Sequence, residues 1–270
     1  GRGGFSKTVV YWDPTPKAQP AWTPGKVRVP ASLAAAGWIR AAVDACLDGS
    51  LDGMVTGPIC KEGFHQAGIR VPGHTELLAR MTKTKRFAMM LFGGPLKVIL
   101  VTRHVPLSKV PGMLTKNRIV EAIALAGDAL TWFGCKRRHI GVCGLNPHAG
   151  EDGDIGREEI TQIGPAIKAC RKMGYDAHGP ISADVVFYQA VHGRFEAVVA
   201  MYHDQGLGPL KTLEFDGGVN VTLGLPIVRT SPDHGTAFDI AGRGIARPSS
   251  MIEAIRWAAR LAARKNPWAP

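Results

Sequence analysis

The chain has 270 residues, of which 45% are hydrophobic and 20% are charged, a balance that excludes general disorder and allows a substantial core. Its apolar runs are far shorter than the ~20 residues of a transmembrane helix, so we expect no membrane span. The formal net charge is +11, but the basic clusters at 83–86 and 136–138 are short, far apart and not interleaved with aromatic residues, so steering of small anions explains the charge better than nucleic-acid binding.

The first thirty residues contain five prolines and predict an extended arm. After this arm, helical and strand periodicities alternate, which predicts crossover connections, a largely parallel sheet and an α/β fold class. The sequence shows no internal repeat. The predicted helices are 32–47, 75–81, 116–133, 157–173, 184–191 and 249–264, and the predicted strands are 53–57, 87–92, 97–102, 139–145 and 197–202.

The five cysteines are odd in number and form no C-x-x-C pair. Four of the five lie in apolar stretches. This usage predicts buried free thiols in a reducing compartment, and we therefore expect a cytoplasmic protein.

Five of the nine histidines lie in short motifs at predicted strand ends, and three of these follow strongly apolar runs: His104, His148 and His203. Because the carboxyl ends of parallel strands meet at one edge of a sheet, we expect the three imidazoles to converge. Three neutral imidazoles suit a divalent transition metal that also binds substrate, and Asp184 and Asp204 are candidates for orienting them. The alternative, in which each histidine only hydrogen-bonds within its turn, stays open.

A second group of residues is suited to anions. His74 and Thr75 begin a predicted helix, where free backbone N–H groups favour phosphate or carboxylate. Lys211, Asn220 and Arg229 lie in stretches rich in glycine and proline, which predict neighbouring loops around a phosphorylated acid. Ordinary surface charge is the alternative. No G-x-G-x-x-G or Walker A motif is present, so a Rossmann nucleotide site is not supported.

Six segments carry distinctive residue combinations: Thr56–Lys61, Pro72–Glu76, Leu145–Glu151, Tyr202–Gly206, Gly218–Gly224 and Arg229–Gly244. Together they resemble the 4-hydroxythreonine-4-phosphate dehydrogenase family of pyridoxal 5′-phosphate biosynthesis, in order over about residues 26–265. The part from His234 to Gly244 is also similar to the adenosine-binding loop of isopropylmalate and isocitrate dehydrogenases. Those enzymes bind NAD(P) without a Rossmann fingerprint.

The resemblance implies a homodimer whose subunits each have two α/β/α layered domains with a cleft between them, as in isocitrate and isopropylmalate dehydrogenases. It implies a first domain of residues 1–72 and 231–270, which carries the cofactor loop. The second domain, 73–230, would carry the metal site and the dimer contacts. The family's initial strand and Gly-Asp-Pro-x-Gly-Ile-Gly-Pro-Glu segment has no counterpart in this sequence. We therefore expect lower stability or weaker cofactor affinity than in a chain that has this segment.

The resemblance also implies a role for individual positions, in a reaction that uses NAD or NADP and a divalent metal (Zn2+, Mg2+, Mn2+ or Co2+). The implied metal ligands are His104, His148 and His203. The implied substrate contacts are His74, Thr75, Lys211, Asn220 and Arg229. The implied cofactor contacts are His234, Gly235, Thr236 and Asp239, and the candidates for a catalytic role are Lys211, Asp204 and Asp184.

The implied reaction oxidises the 3-hydroxyl of 4-phosphooxy-L-threonine, and the product then loses CO2 to give 3-amino-2-oxopropyl phosphate. A metal chelated by the substrate hydroxyl would assist both steps. Paralogues act on threonate or erythronate 4-phosphate or on a cyclic diol dicarboxylate, and the cationic residues favour a phosphorylated hydroxy acid. Two interpretations from other classes remain: a three-histidine zinc hydrolase, and an inactive paralogue that binds metal and anion without turnover.

Overall fold

In the computed structural model, which describes residues 9–14 and 23–270, eight strands form one sheet with helices on both faces. The predicted α/β class is confirmed. Most of the predicted N-terminal arm, residues 1–8 and 15–22, lies outside the described residues. The strands are β1 (Met54–Val55), β2 (Ala88–Gly93), β3 (Leu96–Leu100), β4 (Ile140–Cys143), β5 (Ala177–Ile181), β6 (Ala197–Ala200), β7 (Val219–Leu223) and β8 (Arg229–Pro232).

The sheet has the strand order β1-β8-β7-β2-β3-β6-β4-β5. It is mixed rather than largely parallel. The pairs at its two ends are parallel (β1 with β8, β3 with β6, β6 with β4, and β4 with β5), whereas the central pairs β8–β7, β7–β2 and β2–β3 are antiparallel. A tight turn at Gly94, with φ of 53°, folds β3 back onto β2 as a hairpin, which a strand–helix–strand interpretation misses.

All six predicted helices have a counterpart. The predicted helix 157–173 is divided into a π-helical turn, Glu159–Ile163, and a following α-helix. Pro165 lacks a backbone N–H and interrupts the regular helical ladder there. The helices are α1 (Val29–Leu47), α2 (Lys61–Gln66), α3 (His74–Met81), α4 (Val110–Met113), α5 (Lys116–Trp132), α6 (Gly164–Lys172), α7 (Ala183–Val191), α8 (His203–Leu213) and α9 (Ser249–Ala262).

The loop placement expected for Lys211, Asn220 and Arg229 is wrong. Lys211 lies in α8, Asn220 in β7 and Arg229 in β8. The glycines and proline of α8 are typical of a loop, but Gly206 serves close packing: a Cβ there would lie 2.6 Å from Cγ1 of Val98 on β3. Tertiary contact therefore overrides the local helix propensity.

The core lies on both faces of the sheet. One face packs mainly against α5, α6 and α9. The other, which we call the α8 face, packs against α7 and α8 through Leu91, Val98 and Leu100. A third cluster lies beneath α1, α2 and α3. One sheet runs through both parts of the proposed division 1–72 with 231–270 and 73–230, so that division stays a prediction. No helix in the described ranges has the length and hydrophobicity of a membrane-crossing segment.

Candidate active site

A cavity of about 360 Å³ opens on the α8 face of the sheet, beside β7 and β8. The walls come from five parts of the chain: the loop before α2, the start of α3, the loop after β3, the end of α8 and the loop after β8. Its lining includes the five residues that were expected to contact substrate: His74, Thr75, Lys211, Asn220 and Arg229.

The floor of this cavity is set by strand register. Asn220 pairs with Ser231 across β7 and β8 and with Leu91 across β7 and β2. Because paired residues share a face, Asn220, Thr222, Arg229 and Ser231 all project from the α8 face. The alternation of apolar and polar residues in Val219–Leu223 is the sequence signal that could have identified β7 as a half-polar strand.

Arg229 is the most unusual side chain of the cavity. It is only 2% exposed, and its guanidinium donates to two hydroxyl oxygens: Nε and Nη2 to Oγ1 of Thr56 (3.1 and 2.7 Å), and Nη1 to Oγ1 of Thr222 (3.0 Å). Burial lowers the pKa of Arg229 to about 10, so the group stays cationic at neutral pH. No carboxylate of the described residues forms an ion pair with it. A buried cation held by neutral groups is costly unless an anion completes the site. Sequence reasoning missed the two threonines that hold it.

His74 and Thr75 begin α3, so unpaired backbone N–H groups of the first helical turn face the cavity. Burial, aided by the charge of Arg229, lowers the pKa of His74 to about 3. The imidazole is therefore neutral at pH 7. It can accept a hydrogen bond without adding to the positive charge.

Lys211 reaches the cavity from the last turn of α8. Its Nζ lies 2.6 Å from Oδ2 of Asp233 and donates to the backbone oxygen of the same residue at 2.8 Å. Asn220 is buried, and its Oδ1 has no hydrogen-bond partner in the part of the chain that the structure describes. Two of the cations that line the cavity thus differ: Lys211 is ion-paired, whereas Arg229 has no ion pair with a carboxylate of the described residues. Asp233 was not expected from the sequence, although it adjoins the predicted cofactor loop.

Two of the three predicted metal ligands lie together. The ring centroids of His104 and His203 are 5.5 Å apart, which matches the ~5–5.5 Å expected for two imidazoles that share an ion bound ~2.0–2.1 Å from nitrogen. Nδ1 of His203 lies 2.7 Å from Oδ1 of Asp204, which orients that ring. Burial is the main cause that lowers the pKa of His104, followed by the charge of Lys61, and this favours the neutral, ligating form.

His148 lies apart from this pair. It lines a second cavity of about 340 Å³ together with Asp184 and Tyr202. Among residues 9–14 and 23–270, no three histidine, cysteine or acidic side chains are close enough to hold an ion. The donor set of one chain therefore fits a divalent metal in part, and the ligand role of His148 stays a prediction. Asp184 is exposed and accepts a hydrogen bond from Ser182 Oγ, which lowers its pKa.

The loop that was expected to bind cofactor begins at the rim of the substrate cavity. His234 and Gly235 line that cavity. Asp239 lies further along, in a short 3-10 turn, Phe238–Ile240, which follows Ala237 in the left-handed region (φ 47°).

Comparison with known proteins gives one consistent family. The model described as pyridoxal phosphate biosynthetic protein PdxA matches residues 7–258. A 4-hydroxythreonine-4-phosphate dehydrogenase of Caulobacter vibrioides is 50% identical, over 85% of this chain and 71% of its own length. A D-threonate 4-phosphate dehydrogenase of Cupriavidus necator is 47% identical, over 89% and 73%.

Solved structures agree with the sequence relatives. The crystal structure of a 4-hydroxythreonine-4-phosphate dehydrogenase from Klebsiella pneumoniae matches with a TM-score of 0.83 and 46% identity, over 90% of this chain and 74% of that one. The matched part of this chain spans 65% of the length of a 4-hydroxythreonine-4-phosphate dehydrogenase of Geobacter metallireducens and 76% of one of Desulfosudis oleivorans.

Proposed function

The chain belongs to the PdxA family, the pyridoxal phosphate biosynthetic proteins, and is a dehydrogenase; from this premise we propose that it oxidises the 3-hydroxyl of 4-phosphooxy-L-threonine. The family implies a nicotinamide cofactor as hydride acceptor. The oxidised product is a β-keto acid, which loses CO2 to give 3-amino-2-oxopropyl phosphate. Both steps fit a site that binds a phosphorylated hydroxy acid.

One observation carries the proposal: among the described residues, the buried guanidinium of Arg229 has only hydroxyl partners. A phosphate dianion would supply the missing charge, and a guanidinium suits the paired oxygens of a phosphate. The first turn of α3, with His74 and Thr75, supplies backbone N–H donors to the same anion. Asn220 would bind a hydroxyl or an amino group of the substrate through its free Oδ1.

Lys211 is proposed either to bind the phosphate or to transfer a proton. Its ammonium already uses two contacts to Asp233, which hold it at the cavity wall with a third N–H available. In the second role it would donate a proton to the carbon left by departing CO2. Substitution of Lys211 separates the roles, since loss of a phosphate contact raises KM and loss of a proton donor lowers kcat.

The implied metal is proposed to be held by His104 and His203, with His148 as the third ligand and Asp204 and Asp184 as orienting groups. When bound, a divalent ion (Zn2+, Mg2+, Mn2+ or Co2+) supplies polarisation of the substrate oxygen. His104 stays available for ligation at neutral pH because burial favours its uncharged form. His203 donates a hydrogen bond from Nδ1 to Oδ1 of Asp204, which fixes the ring so that Nε2 is its free nitrogen.

The loop that contains His234, Gly235, Thr236 and Asp239 is proposed to bind the adenosine part of NAD or NADP. Its position at the rim of the substrate cavity supports this assignment. We also propose a homodimer, which would cover exposed apolar side chains such as Tyr188 and Phe215 (65% and 68% exposed). The free cysteines support a cytoplasmic location.

A second substrate, threonate 4-phosphate, is favoured by one feature of the cavity. The carboxylates that line it, Glu76 and Asp233, are already paired with Arg103 (3.3 Å) and Lys211 (2.6 Å). No lining carboxylate of the described chain is therefore free for the ammonium of a phosphorylated threonine. Threonate has an uncharged hydroxyl at that carbon and needs none.

Reduction of NAD+ or NADP+ at 340 nm tests the proposal, with 4-phosphooxy-L-threonine, D-threonate 4-phosphate and erythronate 4-phosphate in separate reactions and Co2+ present. We expect turnover of a phosphorylated substrate that chelator abolishes. Preference for a threonate would select the second substrate and leave the site assignments unchanged. Turnover of the dephosphorylated acid at an equal rate would contradict the assigned role of Arg229.

A further inference from the structure

The three strand ends that lead to His104, His148 and His203 are joined in two different ways. β3 and β6 pair through their backbones up to their last residues and beyond: the Val101 N–H donates to the Ala200 oxygen (2.9 Å), and the Thr102 N–H to the Met201 oxygen (3.1 Å). β4 and β6 stop earlier, at the pair Val142 and Val199. From that point these two strands diverge toward the loop of His148 and the start of α8 with His203.

The side chain of Gln205 closes this gap. Its Oε1 accepts from the N–H of Met201, and its Nε2 donates to the backbone oxygen of Gly144, each at 2.7 Å. The side chain is 8% exposed, so both bonds are shielded from water. Without this amide, a buried N–H after β6 and a buried carbonyl after β4 would lose their partners.

The position of Gln205 is itself fixed. Its neighbour Gly206 presses on the sheet, where an added Cβ would lie 2.6 Å from Val98 Cγ1 and 2.8 Å from Leu100 Cδ2. Gly144 is held on its other side, because its N–H donates to the Ile181 oxygen at 2.8 Å. A change in the length or polarity of the Gln205 side chain therefore moves the two strand ends rather than α8.

We propose that Gln205 is a positioning residue, which sets the distance between the His148 loop and the His203 end of α8. His203 precedes Gln205 by two residues, and His148 follows Gly144 by four. Gln205 also lines the cavity that contains His148 and Asp184. The consequence of Gln205 for catalysis rests on the proposed function. Its effect on the positions of the His148 and His203 imidazoles does not.

Two substitutions and one control test this role. Gln205→Met keeps the volume and removes both hydrogen bonds. Gln205→Glu keeps an acceptor for Met201 and sets a carboxylate oxygen against the Gly144 carbonyl. Gln189→Met on α7 is the matched control, because Oε1 of Gln189 is buried with no partner among the described residues.

The primary measurement is the NMR spectrum of the ring C–H groups of His148 and His203 in the full chain without metal. We expect both Gln205 variants to shift these signals and Gln189→Met to leave them as in the wild type. We also expect a Co2+ affinity and a kcat about 10–100-fold below wild type, as for other residues that orient ligands, with a smaller change in KM.

Unchanged His148 and His203 signals in folded Gln205 variants would overturn the proposal. So would a lowered melting temperature with Co2+ affinity and kcat within about twofold of wild type, because a purely structural role would do only that. If Gln205→Met does not fold, Gln205→Glu provides the same comparison. A wild-type chain that neither binds Co2+ nor reduces cofactor would contradict the proposed function, and the histidine signals would still decide the role of Gln205.

Discussion

The substrate cavity and the histidine pair lie close together, since His104 lines both regions, but they are built differently. In the cavity, Asn220 and Arg229 project from paired strands, and Arg229 is locked by two threonine hydroxyls. The histidines follow strand ends, and one of the three lies in a separate cavity. An anion site can thus be preformed by sheet register within one chain, whereas a site assembled from strand-end loops depends on residues that hold those loops.

The largest expected effect comes from substitution of Arg229. It distinguishes the substrate cavity from the histidine pair. Arg229→Gln removes the charge for phosphate, and we expect kcat/KM to fall about 10²–10³-fold, since truncating a buried charged partner costs roughly 2–5 kcal/mol of binding. Folding should not suffer, because the variant also removes a buried unpaired cation. Initial rates and melting curves measure both. Arg40→Gln, at an exposed position of α1, is the control. A Co2+ affinity unchanged by Arg229→Gln would confirm that the regions are separable.

A somewhat smaller effect is expected in the histidine region. Asp204→Asn weakens the hydrogen bond that orients His203, and we expect Co2+ affinity and kcat to fall about 10–100-fold. Calorimetric titration with Co2+ and steady-state rates provide the measurement. Substrate KM should change little. A large rise in KM with unaltered Co2+ affinity would place Asp204 in the substrate site instead.

The fold and the two sites differ in how far they could be predicted. Alternating periodicity was sufficient for the α/β class and for six helices, because most of these segments bury one continuous face. It failed for β7 and β8, which carry Asn220 and Arg229, because glycine and proline around them are typical of loops. The burial of Arg229 could not be predicted, since Thr56 is 173 residues away and Thr222, although only seven residues away, is brought to Arg229 by the pairing of β7 with β8.

The neutral state of His74 makes the stability of the folded chain depend on pH. In the unfolded chain it binds a proton below about 6.5, but in the folded chain its pKa is lowered to about 3. Protonation therefore favours the unfolded state as the pH falls from 6.5 toward 3. We expect His74 to account for about 1–2 kcal/mol of lost stability between pH 6.5 and 5.

Urea denaturation of the wild type and His74→Gln over this range measures that loss. The variant should lose less stability than the wild type between pH 6.5 and 5. His192→Gln, at an exposed helix end, is the control. Parallel pH profiles for wild type and His74→Gln would contradict the neutral state assigned to His74.

The smallest effect concerns the support of Arg229. Thr222→Val removes the hydroxyl that accepts from Nη1 and keeps the shape of the side chain. Loss of one such bond costs about 0.5–1.5 kcal/mol, so we expect KM for the phosphorylated substrate to rise about 2–10-fold with kcat little changed. Thr212→Val on α8, whose hydroxyl bonds only to its own helix, is the control. An equal rise in KM in both variants would show that the effect is not specific to the cavity.

The most direct test of the central claim, that Arg229 binds the substrate phosphate, is a double-difference titration. Calorimetry would give the Kd of the phosphorylated acid and of its dephosphorylated form for wild type and for Arg229→Gln. If the claim holds, removing the phosphate weakens binding to the wild type about 100-fold or more but affects the variant only a few-fold, because the two changes delete the same interaction. Equal losses in both proteins would mean that Arg229 and the phosphate do not interact, and would contradict the account.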